Sequence, residues 1–176
     1  MAIRNVLIYP DKRLREKARP VERIDDSIRQ LLDDLAETMY AEPGVGLAAP
    51  QLGVPLRVFV IDLKSPEGGE LREFVNPRIV SLEGEISWKE GCLSFPGISE
   101  EVTRARRAVL EALDRNGKRF VLEGQDLLAV AMQHEYDHLE GRLLIDRVSF
   151  LKKRMIRREM AKFAAERAAA AGAEVR

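Results

Sequence analysis

The sequence predicts an α+β fold, with short antiparallel and mixed sheets packed around a central helix that carries His-Glu-x-x-His, plus an N-terminal and a C-terminal helix. Three observations predict it. Apolar residues recur at helical spacing over 25–40 and again over 126–140, and 148–170 reads as a third helix. The stretch 56–123 between the first two is β-like, broken by turn signals. Runs of strand set between helices place sheet against helix around a shared core.

The elements follow in order. Residues 1–20 read as irregular, with Pro10-Asp11 marking a turn and Pro20 blocking a helix. In the first helix Ile28, Leu31, Leu32, Leu35 and Met39 share one face, and Asp25 or Asp26 can cap it. Residues 42–52 form a loop rich in glycine, alanine and proline that excludes a regular helix. Strands are expected at 57–62, 73–75, 78–82 and 85–88, with a turn at 65–70. Strands 102–113 and 118–123 flank Asp114-Arg115-Asn116-Gly117, a strong hairpin signal. The second helix has Asp126 as its expected N-cap and Gly141 just past its end. Leu127, Leu128, Val130, Met132 and Leu139 make it apolar on much of its surface, the mark of a buried, central helix.

The chain has 176 residues, which fits one domain. Residues 1–150 are expected to form the catalytic domain, with 151–176 a basic helix and tail of the same domain. Lys+Arg and Asp+Glu are both 29, so overall charge argues for neither nucleic acid nor membrane as a partner. A single cysteine excludes an internal disulfide. With no secretory leader pattern at Met1–Asn5, a reducing cytoplasm is the expected compartment.

The chain's only two histidines stand in Gln133-His134-Glu135-Tyr136-Asp137-His138. Positions i and i+4 of a helix lie about 40° apart and one turn along, so both imidazoles can share one ion. Glu135 sits on the same side but is poorly aimed to bind. A carboxylate there can take a proton from a water that the ion activates. Two ligands make a weak site, and the remaining soft donor is Cys92, in Glu90-Gly91-Cys92-Leu93-Ser94. On spacing alone a carboxylate remains an alternative third ligand. A Cys/His/His set leaves a coordination position open and suits Fe(II), Zn(II), Ni(II) or Co(II). Glu90 can pair with Arg104, and Asp137 can orient a ligand. Leu127 and Val130, seven and four residues before His134, share its side of the helix and can line an apolar pocket with Ala131.

Gly44-Val45-Gly46-Leu47-Ala48-Ala49-Pro50-Gln51 has neither a P-loop ending nor dinucleotide glycine spacing. Together, this loop, Glu90–Ser94 and Gln133–Leu139 resemble the three signatures of the bacterial peptide deformylases, in order and at the family's spacing. The resemblance covers roughly 3–150. It implies removal of the formyl group from the formyl-methionine of new polypeptides. It also implies Cys92, His134 and His138 as ligands, typically of Fe(II) with Zn, Ni or Co substituting, and Glu135 as acid/base. The Gln51 side-chain amide and the Leu93 backbone N–H become oxyanion donors, and Val45 and Gly46 backbone contacts to the substrate. Leu127, Val130 and Ala131 become the methionine pocket.

A monomer acting on nascent chains is expected. Lys152, Lys153, Arg154, Arg157, Arg158, Lys162 and Arg167 outnumber Glu159 and Glu166 in the last helix, which makes ribosomal RNA a candidate contact. Two alternatives stand beside this reading. A zincin-type protease shares His-Glu-x-x-His but normally takes its third ligand from His or Glu. A non-enzymatic metal-binding module would need a fourth ligand that the histidine and cysteine counts do not supply.

Overall fold

The structure is a computed structural model that describes residues 2–64 and 69–174. Most of the turn expected at 65–70 lies at 65–68, outside the described residues. Among the described residues, three helices, α1 (Asp26–Ala41), α2 (Leu127–Leu139) and α3 (Phe150–Glu174), accompany seven strands. These are β1 (Gly46–Ala48), β2 (Val58–Ile61), β3 (Arg72–Glu83), β4 (Ile86–Gly91), β5 (Ser99–Arg104), β6 (Arg107–Leu113) and β7 (Arg119–Gln125). One sheet has five strands in the order β1-β2-β3-β6-β7, and β4 and β5 form a second. Every pairing among these strands is antiparallel, and among the described residues parallel contact is confined to an isolated bridge between Arg19 and Leu56.

Side-chain alternation along β2 explains how the layers stack. Val58 and Val60 face α1, where Ile28, Leu31, Leu32, Leu35 and Met39 cover them. Phe59 and Ile61 face the other way, into a cluster with Phe74, Leu110, Ala129, Met132 and Leu139. All four β2 residues are therefore buried, and the large sheet is sandwiched between α1 and α2. A third cluster joins the small sheet to α3 through Leu14, Phe95, Val102, Ile156 and Met160.

The α1 cap is Asp25, whose carboxylate accepts from the Ser27 and Ile28 N–H groups. Gly141 follows α2 with φ +70°, the left-handed position where a side chain is costly. Other boundaries differ from expectation. The strands expected at 73–75 and 78–82 are one strand, β3, because a register shift between Val75 and Arg78 absorbs Pro77; a second shift follows between Ile79 and Ser81. The single strand expected at 102–113 is two. The chain leaves the small sheet at Arg104 and enters the large one at Arg107. The 42–52 loop contains β1 and a 3-10 turn, Ala49–Leu52.

Asp126 does not cap α2. Its side chain makes no capping hydrogen bond, and its backbone adopts φ 50° and ψ −119°, a combination that suits glycine and strains residues with a Cβ. The carboxylate is 61% exposed and 3.8 Å from the equally exposed Arg106, a weak contact. Replacing Asp126 with glycine should therefore stabilise the protein by about 1 kcal/mol, raising Tm by roughly 2–4 °C. An unchanged or lower Tm by calorimetry would show that the backbone is not strained there.

Candidate metal centre

The site is assembled from two segments that the fold brings together. Helix α2 supplies His134, Glu135 and His138, all buried. The turn after β4 supplies Cys92, where Phe95 N–H donates to the Cys92 carbonyl. Among the described residues, Cys92, His134 and His138 are the group whose ligand atoms all lie within 4.8 Å of one another. Cys92 Sγ is 3.5 Å from His138 Nε2. A tetrahedral ion about 2.3 Å from sulfur and 2.0–2.1 Å from nitrogen separates those two atoms by roughly 3.5 Å. The donor set therefore fits a single transition-metal ion.

Glu90 orients this set. Its carboxylate accepts from His134 Nδ1 at 2.8 Å, which leaves His134 Nε2 as the ligand atom. The same carboxylate takes two hydrogen bonds from Arg104. Arg104 also reaches Asp137 at 3.0 Å, and Arg147 holds Asp137 from the other side at 2.7 Å. Burial works to raise the Glu90 carboxyl, but His134 and Arg104 hold it below its ordinary range. Burial likewise opposes ionisation of Asp137, which Arg147 and Arg104 outweigh. The pairing of Glu90 with Arg104 was legible in the sequence. The bond from Glu90 to His134 was not, since it joins residues 44 apart. Asp137 is paired with the two arginines and, among the described residues, leaves His138 Nδ1 without a partner.

Burial lowers the His138 pKa well below its ordinary value, and His134 adds to this, so its ring is neutral and able to bind an ion. His134 is buried too, yet its contacts with Cys92 and Glu90 hold it well above the usual value. A proton shared in this way is one that a divalent ion displaces. Burial pushes Glu135 up to about 7, against His134 and Arg104. That value suits a group that both accepts and donates protons near neutral pH. Among the described residues Glu135 Oε2 has no hydrogen-bond partner.

The remaining candidate residues surround the same space. Gln51 is 2% exposed and fixed at both ends of its amide. Its Oε1 accepts from Ala48 N–H at 3.0 Å, and its Nε2 donates to Ser94 Oγ at 3.1 Å, lying 3.7 Å from Cys92 Sγ. A cavity of about 600 Å³ is lined by Val45, Gly46, Gln51, Cys92, Leu93, Leu127, Val130, Ala131 and Glu135. It runs between two sheet edges, β1 and β4, each hydrogen-bonded to one neighbour. A Cβ on Gly46 would sit 2.4 Å from Glu135 Oε1, so only glycine lets this edge approach the carboxylate. The Val45 carbonyl is engaged by Asp62 N–H.

Known proteins resemble the chain throughout this region. The family described as polypeptide deformylase matches residues 3–154. Peptide deformylase of Nitrosococcus oceani is 51% identical over 162 residues, 92% of this chain and 96% of that one. Peptide deformylase 1 of Burkholderia multivorans is also 51% identical, over 92% of this chain and 90% of its own. Among solved structures, a peptide deformylase from Legionella pneumophila superposes with a TM-score of 0.90 at 49% identity, covering 95% of this chain and 98% of that one. The Ehrlichia chaffeensis peptide deformylase in complex with actinonin gives 0.88 at 37% identity, covering 92% and 98%.

Glu90 provides a direct test of this geometry. Glu90→Gln should keep a hydrogen bond to Arg104 yet lose the charge behind His134, weakening metal affinity about 10–100-fold in competition with a chelator. Unchanged affinity would separate Glu90 from the metal centre.

Proposed function

The chain belongs to the polypeptide deformylase family, whose members remove N-terminal formyl groups, and on that premise we propose how its residues perform the reaction. Cys92, His134 and His138 hold one divalent ion, Fe(II) by preference, with Zn(II), Ni(II) or Co(II) able to replace it. When bound, the ion is a Lewis acid that polarises the formyl oxygen and acidifies water. Glu135 accepts a proton from the attacking water and passes it to the leaving amine. The Gln51 amide and the Leu93 N–H donate to the oxyanion as the formyl carbon becomes tetrahedral. Ala48 N–H holds the Gln51 oxygen, so the amide nitrogen faces the reacting atoms without having to reorganise.

An extended peptide entering between the β1 and β4 edges can pair with both as an added strand. Gly46 and Val45 then border its backbone. Leu127, Val130 and Ala131 receive the unbranched apolar side chain of methionine. The observation that carries this reading is the convergence of three ligand atoms, a buried carboxylate and an aimed amide on one cavity. A zincin-type protease is disfavoured by the cysteine ligand, and a closed structural site by the number of ligands. The substrate is the formyl-methionyl end of a newly made polypeptide, handled by a monomer in the cytoplasm. Among the described residues no helix is long and apolar enough to cross a membrane.

Helix α3 is proposed as a ribosome contact. Ile156 and Met160 anchor it to the body, while Phe150, Leu151 and Met155 are exposed beside Lys153, Arg154, Arg157 and Arg158.

Two sets of measurements follow. Metal-loaded Glu135→Ala should retain the ion and lose nearly all formate release from formyl-Met-Ala-Ser. Gln51→Ala should retain the ion and lose about 10²–10³-fold in kcat. Near-normal turnover in either variant would remove that residue from the mechanism. Ribosome binding should weaken steeply between 50 and 200 mM salt (a range of roughly this width resolves the slope) and vanish on deletion of 151–176. Binding that ignores salt would contradict the α3 assignment.

A further inference from the structure

The first nine residues take no part in the chemistry above, yet their backbone reaches both turns that carry it. Ala2 N–H donates to Asp34 Oδ1 and Arg4 N–H to Thr38 Oγ1, each at 3.0 Å, which fastens the segment to α1. Leu7 N–H then donates to the Gln51 carbonyl at 2.7 Å, and Tyr9 N–H to the Ser94 carbonyl at 2.9 Å. One acceptor lies on the 3-10 turn that holds Gln51. The other lies on the turn that holds Cys92 and Leu93, 43 residues further along. Side chains reinforce the second contact. The Tyr9 ring stacks on Phe95 with centroids 4.9 Å apart. Phe95 is buried, and its own N–H closes the Cys92 turn.

We propose that Leu7 and Tyr9 are positioning residues that set the spacing of the two oxyanion donors. This rests on the deformylase reading, with Gln51 and Leu93 as those donors, and extends it to a part of the chain outside the three signature segments. Leu7 and Tyr9 are two residues apart, so their N–H groups are separated by at most about 7 Å. A tie of limited length therefore joins the Gln51 backbone to Ser94, the neighbour of Leu93. The same two residues meet a second time through side chains, where Gln51 Nε2 donates to Ser94 Oγ at 3.1 Å. An amide nitrogen has two hydrogens, so one engages Ser94 and the other serves the oxyanion. Both donors must converge on one point, and a misplacement of about 1 Å can cost about 10²-fold in rate. Anchored to α1 at Ala2 and Arg4, the segment resists sliding, and the two turns keep their separation as charge develops. Because the donors act on the tetrahedral state, slack in the tie lowers kcat and leaves KM alone.

The test uses the metal-loaded full chain on formyl-Met-Ala-Ser. Incorporating the α-hydroxy acid of leucine at position 7 turns the amide into an ester, which deletes the donor and keeps the side chain. The ester should lower kcat about three- to tenfold, the scale of one hydrogen bond, with KM and metal content unchanged. Tyr9→Ala should lower kcat by a similar factor, and Tyr9→Phe, which keeps the ring, should restore it to within about twofold. The Leu7 ester is then combined with Gln51→Ala. With the amide gone there is nothing left for Leu7 to aim, so the ester should cost less than about twofold in that background. The same factor in both backgrounds would overturn the proposal, as would an ester with wild-type kcat. A loss that appears in KM or in bound metal would also overturn it, by making the segment a general support of the fold. Should Tyr9→Ala fail to fold, the ester series decides alone. If unaltered enzyme released no formate, the deformylase reading itself would fall. If Gln51→Ala alone kept full kcat, its place as a donor would fall, and this inference with it.

Discussion

The buried carboxylate of Glu90 is the interaction on which the site depends. It belongs to the strand that leads into Cys92, yet it takes a hydrogen bond from the first histidine of α2 and two from Arg104. Arg104 in turn grips Asp137 of α2. The hairpin of β4 and β5 is thereby fastened to α2 by charges removed from water. Such charges are costly to bury alone, and losing one partner of a buried pair typically costs about 3–5 kcal/mol. Fastening the hairpin in this way sets the sulfur of Cys92 against the ring of His138.

Helix α2 serves two layers at once. Ala129, Met132 and Leu139 pack against the large sheet, while Val130, Ala131, His134 and Glu135 line the cavity. A helix buried on nearly every side has little freedom to tilt, which is what a three-ligand centre and an aimed carboxylate require. The desolvation that accompanies this burial is also what raises Glu135 into the neutral range. Packing and acid–base chemistry thus have one cause.

How much of this the sequence disclosed depends on the range of the interaction. The helices were legible because apolar spacing is local, and the paired histidines were legible because i and i+4 meet on any helix. Apart from the family resemblance, Cys92 could be nominated only as the remaining soft donor, since nothing local places it near α2. The bond between Glu90 and His134 was hidden for the same reason. Its faint signal was an acidic residue two positions before the cysteine, on a strand whose other face is exposed. The division between β5 and β6 escaped detection because a change of sheet alters hydrogen-bond partners without interrupting the β pattern. Asp126 misled in another way. It is a favoured capping residue by type, but the tight entry from β7 imposes a backbone conformation in which it cannot cap. Gln51 had no local signal of function and was named by the family resemblance alone; the structure adds that its amide is held between Ala48 and Ser94.

The central claim is that sulfur and two imidazoles from separate segments share one ion beside Glu135. X-ray absorption spectroscopy of the metal-loaded protein tests it most directly. The geometry predicts one sulfur at about 2.3 Å and two imidazole nitrogens at about 2.0–2.1 Å, with the sulfur signal absent in Cys92→Ser. A spectrum of nitrogen and oxygen ligands alone in the unaltered protein would contradict it.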